Sequence, residues 1–434
     1  MSSRYPIDPL TDVASFPAVL RTWARTRPHH LAFRELTGGV GGSEIDFANL
    51  ARRVEALAWH LDSIGMRGRR IVLVFPTSID FVVAFLACLA SGAVAVPSDL
   101  AKRRGKDERL GRIVEDSGAS ALLTRTDFAD RLRHDESLPL GSGELRIIEL
   151  GECDPDPAII RPMPEPAADE LAMLQYTSGS TARPRGVMLT HRQLLANSRI
   201  IAEAFAIDRE DTCHSWLPAH HDMGLIGGIL TPLLLARPST FGSPSHFLVH
   251  PFSWLKAISE QGITVSGGPD FAYRWCVERV TPAEAATLDL SRWRIAFTGA
   301  EMVRPETIRR FSERFSCAGF RAESFFPCYG LAEATLLVSG GPCREITSLH
   351  LDTAALREGR VVPVSASEGL TRDWISSGHP ATGVEIHVVD PLSGTTAPPD
   401  RIGEIWVRSP SVGLGYWENP TATRETFAAT LDAD

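Results

Sequence analysis

Short, unbroken apolar runs alternating with helical apolar patterns constrain this chain more than any other feature. Ile71-Val-Leu-Val-Phe75 is a β-branched and aromatic run closed by Pro76, the signature of a strand buried on both faces. A helical apolar stretch over residues 81–89 follows, then a second extended run, Ala93-Val-Ala-Val-Pro97. Ala121-Leu-Leu-Thr124 and Arg146-Ile-Ile-Glu-Leu150 repeat the strand signal. Strand, helix, strand in this order predicts an α/β fold whose mostly parallel sheet is covered by helices. Upstream, residues 16–23 and 50–61 carry apolar residues at helical spacing and predict surface helices with one buried face.

A Pro-rich connector at 154–166 precedes another strand, Leu171-Ala-Met-Leu-Gln-Tyr176, and the α/β alternation resumes to about Leu337. From Asp373 the texture changes to short alternating strands, Val384-Glu-Ile-His-Val-Val389 and Gly403-Glu-Ile-Trp-Val-Arg408, separated by a turn at 391–399. That segment predicts a small β-barrel or sheet. The expected division is a first α/β subdomain over about 1–200, a second over about 201–340, and a smaller β-rich part over about 341–434.

With 434 residues, 44% of them hydrophobic and 22% charged, the composition is that of an ordinary globular protein. A formal charge of -9 offers no broad attraction to nucleic acid, which is not an expected partner. Cys88, Cys153, Cys213, Cys276, Cys317, Cys328 and Cys343 are scattered without metal-ligand spacing and read as mostly reduced. The opening MSSRYPIDPL has no basic segment followed by an apolar run. No stretch approaches the roughly 18 to 20 apolar residues of a membrane span, so stable membrane insertion is not expected and a cytoplasmic location is.

The strongest chemical signal is Tyr176-Thr-Ser-Gly-Ser-Thr-Ala-Arg-Pro-Arg-Gly-Val187, directly after a buried strand. Gly179 and Gly186 permit close backbone approach. Thr177, Ser178, Ser180 and Thr181 offer hydroxyls, and Arg183 and Arg185 can neutralise phosphate oxygens. It is not a Walker loop, since GxxxxGK[ST] is absent. The competing reading is a solvated Ser/Thr-rich turn.

This loop resembles the phosphate loop of the adenylate-forming superfamily of acyl-CoA synthetases, peptide-synthetase adenylation domains and luciferases, whose usual pattern is YTSGSTGxPKGV. Ala182 stands where Gly is common and Arg185 where Lys is common. The second change keeps charge but alters reach. Both departures are frequent in fatty acyl-AMP ligases.

Three further segments resemble the family in its own order. Ser215-Trp-Leu-Pro-Ala-His-His-Asp-Met-Gly-Leu225 is similar to WLPxxHDMGL, and the resemblance gives His221 the task of positioning the carboxylate and the reacting phosphate. The alternative is a satisfied core histidine. Ala296-Phe-Thr-Gly-Ala-Glu301 resembles the segment along adenine, with Gly299 and Ala300 leaving room for the base; Glu301 reads equally well as a helix N-terminal acid. Phe325-Phe-Pro-Cys-Tyr-Gly-Leu-Ala-Glu-Ala-Thr335 resembles the YGxTE motif. There Tyr329, followed by Gly330, Leu331 and Ala332, offers a stacking face for adenine, and Glu333 a carboxylate for magnesium. Ala332 replaces the motif's usual Thr, as in the acyl-AMP ligases. Gly378-His-Pro and Gly415-Tyr-Trp-Glu-Asn-Pro420 extend the likeness through the β-rich part.

Within the superfamily, the 44 residues between Glu333 and Gly378 leave room for an insertion at about 344–373. It resembles the one characteristic of fatty acyl-AMP ligases, where packing against the main body would restrict the following domain and disfavour CoA. An ordinary surface loop is the alternative.

The resemblance thus implies a fatty acyl-AMP ligase that uses ATP and Mg2+. Thr181 and Glu333 would place the metal, Arg183 or Arg185 would hold the outer phosphates, and His221, Met223, Leu225, Gly268, Pro269, Phe271 and Tyr273 would line the acyl tunnel. The expected partners are a fatty acid and a phosphopantetheinylated acyl carrier protein. The chain stops at Asp434, before the family's TGD motif, hinge and small C-terminal domain with its catalytic Lys, so the large domain alone is expected to fold but to adenylate weakly or not at all. The competing functions are an acyl-CoA synthetase and a non-catalytic acyl- or nucleotide-binding module.

Overall fold

The computed structural model describes residues 10, 13–36, 41–99, 108–140, 145–152, 163–177, 184–342, 348–365 and 371–431. Local chemistry explains where the first elements start. Ser15 accepts from the Ala18 N–H and Pro17 occupies the first turn of helix Phe16–Thr26. Asp46 caps helix Phe47–Ser63 through the Asn49 N–H, and Ser78 caps helix Ile79–Ser91 through the Phe81 N–H. The third helix is buried along almost its whole length, because both sheets pack around it.

Two short strands, β1 (Leu31–Glu35) and β2 (Glu44–Asp46), precede the first sheet. That sheet contains β3 (Arg70–Val74), β4 (Val94–Ser98), β5 (Ala121–Thr124), β6 (Arg146–Glu149), β7 (Leu171–Thr177) and β8 (Arg185–Thr190), in the order β6-β5-β3-β4-β7-β8. All neighbours are parallel except β7 and β8, which form an antiparallel hairpin.

The second sheet uses β9 (Cys213–Ser215), β10 (Ser239–Phe241), β11 (Val265–Gly268), β12 (Ile295–Thr298), β13 (Phe325–Gly330) and β14 (Leu337–Gly340). After β15 (Ser348–Asp352) and β16 (Thr371–Ile375), which pair only with each other, β17 (His379–Pro380) returns to its edge. The order is β17-β14-β13-β12-β11-β9-β10-β1-β2, parallel from β13 through β1 and antiparallel at both edges. The strands at 31–46 therefore belong to the second sheet, although in sequence they fall within the expected first subdomain. Parallel pairing of Phe33 with Ser239 leaves no local trace.

One apolar core serves both sheets. Leu73 and Ala95 of the first and Phe33, Phe241 and Val265 of the second pack around helices Ile79–Ser91 and His191–Ala204. A second core behind β11–β13 is aromatic, with Trp254, Tyr273, Trp293 and Phe311 enclosed.

The last ninety residues do not close into a barrel among the described residues. They form two separate antiparallel ladders, β15 with β16 and β18 (Glu385–Val389) with β19 (Glu404–Arg408). Two-stranded ladders have too few members for the stagger that closure requires. The expected insertion at about 344–373 holds β15, the short helix Thr353–Arg357 and the start of β16; its Leu351 and Ala355 are buried, and just beyond it Ile375 packs on the aromatic core.

Candidate active site

The β7–β8 hairpin ends at the pair Thr177 and Arg185. Ser178, Gly179, Ser180, Thr181, Ala182 and Arg183 lie outside the described residues. The rim of the loop is nevertheless fixed, because residues 413–417 continue the ladder. The Met188 N–H donates to the Gly415 carbonyl (2.9 Å), the Leu414 N–H to the Met188 carbonyl (3.0 Å) and the Trp417 N–H to the Gly186 carbonyl (2.8 Å). The Arg185 guanidinium lies over the Tyr416 ring, 5.4 Å from its centroid.

Glu333 reaches the same place from the second sheet. β13 ends at Gly330, where a Cβ would sit 2.0 Å from the Leu336 carbonyl oxygen, so only glycine fits beside the returning strand. The chain turns once through Ala332–Ala334 and then through Thr335, held at φ 71°. The Thr335 hydroxyl donates to the Ser411 carbonyl at 2.6 Å, offsetting that uncommon backbone. The Gly413 N–H donates to the Glu333 carbonyl (2.8 Å), and the Tyr416 hydroxyl to the Glu333 carboxylate (2.6 Å).

Asn197, wholly buried on helix His191–Ala204, binds the turn together. Its Nδ2 donates to the Ala334 and Leu337 carbonyls and the Ser411 hydroxyl, and its Oδ1 accepts from the Leu337 N–H. Gln193, one turn earlier, donates to the Val412 carbonyl at 2.7 Å.

The two histidines occupy a turn tethered to the first sheet. Thr77 accepts from the Ala219 N–H (2.9 Å), and Gln175 donates to the His220 carbonyl (2.9 Å). A Cβ on Gly224 would stand 2.1 Å from the Pro218 carbonyl oxygen, which pins the turn against the following helix. The imidazoles of His220 and His221 are 4.4 Å apart. Burial, with lesser push from His221 and Arg109, takes His220 down to about 3. Burial and then Arg109 lower His221, against an opposing pull from Asp99. Both rings are therefore neutral at physiological pH and act through hydrogen bonds and shape. Burial, reinforced by Glu333, raises Asp222 to about 6 while its carboxylate accepts from the Met223 N–H at 2.7 Å. Met223–Leu230 is wound as a π-helix, a form that gathers at functional sites.

A narrow cavity of about 80 Å3 lies beside the histidine turn. Asp222, Met223, Ala300, Tyr329 and Gly330 are on its wall, and Ile201, Phe205, Val265, Phe297 and Leu337 make most of the remainder apolar. Tyr329 is half-buried, its hydroxyl pushed up by burial and then by Glu333. Leu331 is half-buried and Ala332 buried. Ala300 takes a left-handed φ of 65°, and a Cβ on Gly299 would meet the Cys328 carbonyl oxygen at 2.6 Å. Glu301 accepts from the Phe271 N–H at 2.7 Å, at the start of helix Asp270–Arg279. Its carboxylate thus serves a helix N-terminus, though not that of the helix following it in sequence.

The other residues expected along a tunnel are not on this cavity. Leu225 is fully buried. Gly268 abuts the Trp216 ring, Pro269 precedes helix Asp270–Arg279, and Phe271 stands edge-on to Trp216 at 6.3 Å. Tyr273 is enclosed by Trp254, Trp293, Phe311 and Phe325, and its hydroxyl donates to the Phe297 carbonyl at 2.8 Å. It is a core residue, because an aromatic in the first turn of that helix faces the second core.

Asn197 and Tyr416 are absent from any reading of the sequence as site residues. Asn197 had one signal, a polar residue at a helical position otherwise given to Leu194, Leu195 and Ile201. No cluster of three or more His, Cys, Asp or Glu able to hold a metal occurs among the described residues. A half-exposed carboxylate such as Glu333 suits Mg2+, which takes one or two carboxylates and completes its shell with phosphate oxygens and water.

Residues 20–417 match the family model of AMP-binding enzymes. A medium-chain fatty acid–acyl-carrier-protein ligase of Teredinibacter turnerae is 34% identical over 94% of this chain and 70% of its own length. A long-chain fatty acid–AMP ligase of Mycobacterium tuberculosis is 31% identical over 96% and 73%. Among solved structures, a fatty acyl-adenylate ligase of Legionella pneumophila in complex with acyl adenylate and pyrophosphate superposes with a TM-score of 0.91 at 36% identity, covering 98% of this chain and 74% of that one. Adenylation domains that select keto acids share the fold at 22% identity, with a TM-score of 0.87. The match across nearly the whole chain, joined to identities above 30% with ligases of one kind, places this protein among the AMP-binding enzymes as a member of the fatty acyl-AMP ligases.

Proposed function

We propose that this AMP-forming ligase joins a fatty acid to AMP and then delivers the acyl group to the phosphopantetheine thiol of an acyl carrier protein. The observation that carries the reading is the convergence of Tyr329 and Asp222 on the wall of one narrow, largely apolar cavity, with Glu333 close enough to raise the pKa of both. An acyl chain needs the apolar part, and a nucleotide needs the polar rim. A fatty carboxylate oxygen attacks the α-phosphorus of ATP, a P–O bond forms, and pyrophosphate leaves with the electrons of the bond that breaks. The thiol then attacks the acyl carbonyl and AMP departs.

The chain's own groups mainly position and stabilise charge. Arg183 or Arg185 would hold the outer phosphates, and neutral His221 would orient the carboxylate without adding a charge that would hold it in its ground state. Tyr329 offers its ring to adenine beside Gly299 and Ala300. Mg2+ would be held by Glu333 and Thr181 and would offset charge on the departing pyrophosphate. Burial of Leu351 and Ala355 within the insertion supports its role in disfavouring CoA. No helix among the described residues is long and apolar enough to cross a membrane. Cys88, Cys213 and Cys276 are free and buried, as suits a reducing cytoplasm.

The test offers the protein ATP, Mg2+ and a mixture of fatty acids, with CoA and a phosphopantetheinylated carrier protein in separate reactions, and follows products by mass spectrometry. Acyl-AMP that passes to the carrier and not to CoA supports the proposal. Efficient acyl-CoA formation would replace it with the acyl-CoA synthetase reading. Separately, Glu333→Ala should abolish Mg·ATP binding in a calorimetric titration; unchanged binding would remove Glu333 from the site.

A further inference from the structure

Arg185 and Glu333 carry opposite charges, and both are bound to the same segment. The isolated bridge between Val187 and Tyr416, the Trp417 N–H on the Gly186 carbonyl and the Gly413 N–H on the Glu333 carbonyl hold their backbones at fixed separation. Both side chains reach the one tyrosine ring, and an Arg–carboxylate fork is a strong pairing. Yet among the described residues the two form no ion pair. What lies between them is Tyr416, with the guanidinium over its face and the carboxylate at its hydroxyl.

The residue is held in place and almost wholly buried. The Tyr416 N–H donates to the Thr423 hydroxyl at 2.9 Å, and Phe427 meets the ring edge-on at 5.2 Å. We propose that Tyr416 is a positioning residue that acts as a spacer, keeping the Arg185 cation and the Glu333 carboxylate from neutralising each other so that both stay available to the phosphates of ATP and their divalent cation. The inference rests on the reading of Glu333 as the metal-binding carboxylate. Its physical basis is asymmetric. A neutral phenol donating one hydrogen bond orients a carboxylate while leaving its charge and its second oxygen free. A guanidinium in the same place would cancel the charge and occupy both oxygens.

Calorimetric titration of the whole chain with Mg·ATP tests this, with thermal unfolding as the check on folding. Y416F keeps the aromatic face and loses only the hydroxyl, so binding should weaken about tenfold. Y416L keeps bulk but loses both face and hydroxyl, and should weaken binding further. The decisive comparison is the cost of R185Q in each background. It should be as large in Y416F as in the unsubstituted protein, and smaller in Y416L, where Arg185 is already paired with Glu333. A purely structural Tyr416 would leave that cost unchanged. Equal binding by Y416F and Y416L, or an R185Q cost independent of residue 416, overturns the spacer while leaving Glu333 in its role. If E333A binds Mg·ATP as well as the unsubstituted protein, the underlying reading fails instead. Should Y416L not fold, Y416F binding within twofold of the unsubstituted protein still refutes the proposal.

Discussion

Asp222→Asn should stabilise the protein, and by an amount that depends on pH in a way only a buried carboxylate can produce. Asp222 accepts from the Met223 N–H at 2.7 Å, and the amide oxygen of asparagine can keep that bond. What the substitution removes is a charge that burial, and then Glu333, disfavours enough to lift the carboxyl from 3.8 to about 6. Because the native pKa exceeds the unfolded one, the native state holds more protons between those values, and native stability falls as pH rises through the interval. At 1.36 kcal/mol per unit, the shift makes ionised Asp222 destabilising by about 3 kcal/mol above pH 7, with about half of that already present at pH 5. The stability difference between the D222N variant and its parent, from urea unfolding at half-unit steps from pH 5 to 8, should therefore climb and then level near pH 7. E333Q should reduce the climb, since Glu333 contributes to the shift. A difference independent of pH, or a variant less stable than its parent above pH 7, would refute the electrostatic account of this turn.

Three other perturbations probe the same assembly. Asn197→Ala strands two buried carbonyls and one buried N–H, and should cost about 3 kcal/mol or more in chemical denaturation; a loss below 1 kcal/mol would show that the turn does not depend on it. Burial takes His191 from 6.5 down to about 4, so the native state resists protonation and stability is lost as pH falls from about 6.5 toward 4. His191→Gln should flatten the slope of stability against pH over that range, and an unchanged slope would assign acid lability elsewhere. Gly224→Ala forces a methyl against the Pro218 carbonyl oxygen and should destabilise by about 1–3 kcal/mol, with weakened Mg·ATP binding; full stability and binding would mean that the histidine turn tolerates displacement.

The sequence was most legible where a local pattern and the final environment agree. The runs at 71–75, 93–97 and 121–124 are buried strands because nothing but a helix-covered parallel sheet accommodates uninterrupted Val, Leu and Ala there. The turn glycines Gly224 and Gly330 could likewise be flagged inside motifs, and each proves sterically required. What stayed hidden depends on distance along the chain. Nothing near Phe33 announces its pairing with Ser239, and nothing near Glu333 announces Tyr416. Tyr273 misled for the opposite reason. Its neighbour Phe271 is only partly buried against the aromatic core, whereas Tyr273, two residues and about 200° further round the helix, is enclosed within it. A strand alternates faces with a period of two and a helix rotates about 100° per residue, so closeness in a motif does not mean a shared wall.

Helix His191–Ala204 shows how the distant parts are brought into register. It begins immediately after the phosphate-loop hairpin, and Gln193 and Asn197, four residues apart, lie on one face of it. Gln193 accepts from the Thr190 N–H at the end of β8 while donating to Val412. Asn197 grips the turn that carries Glu333 and also the Ser411 hydroxyl. One rigid face therefore helps to set the spacing between the hairpin that precedes it, the acidic turn about 140 residues later, and the 411–417 segment, adding to the direct bonds that segment makes to both. A hydrogen-bonded polar pair inside an apolar interface costs little when every partner is satisfied and fixes one arrangement over its alternatives. That is why two amides buried in a core can matter to the geometry of a nucleotide site they do not touch.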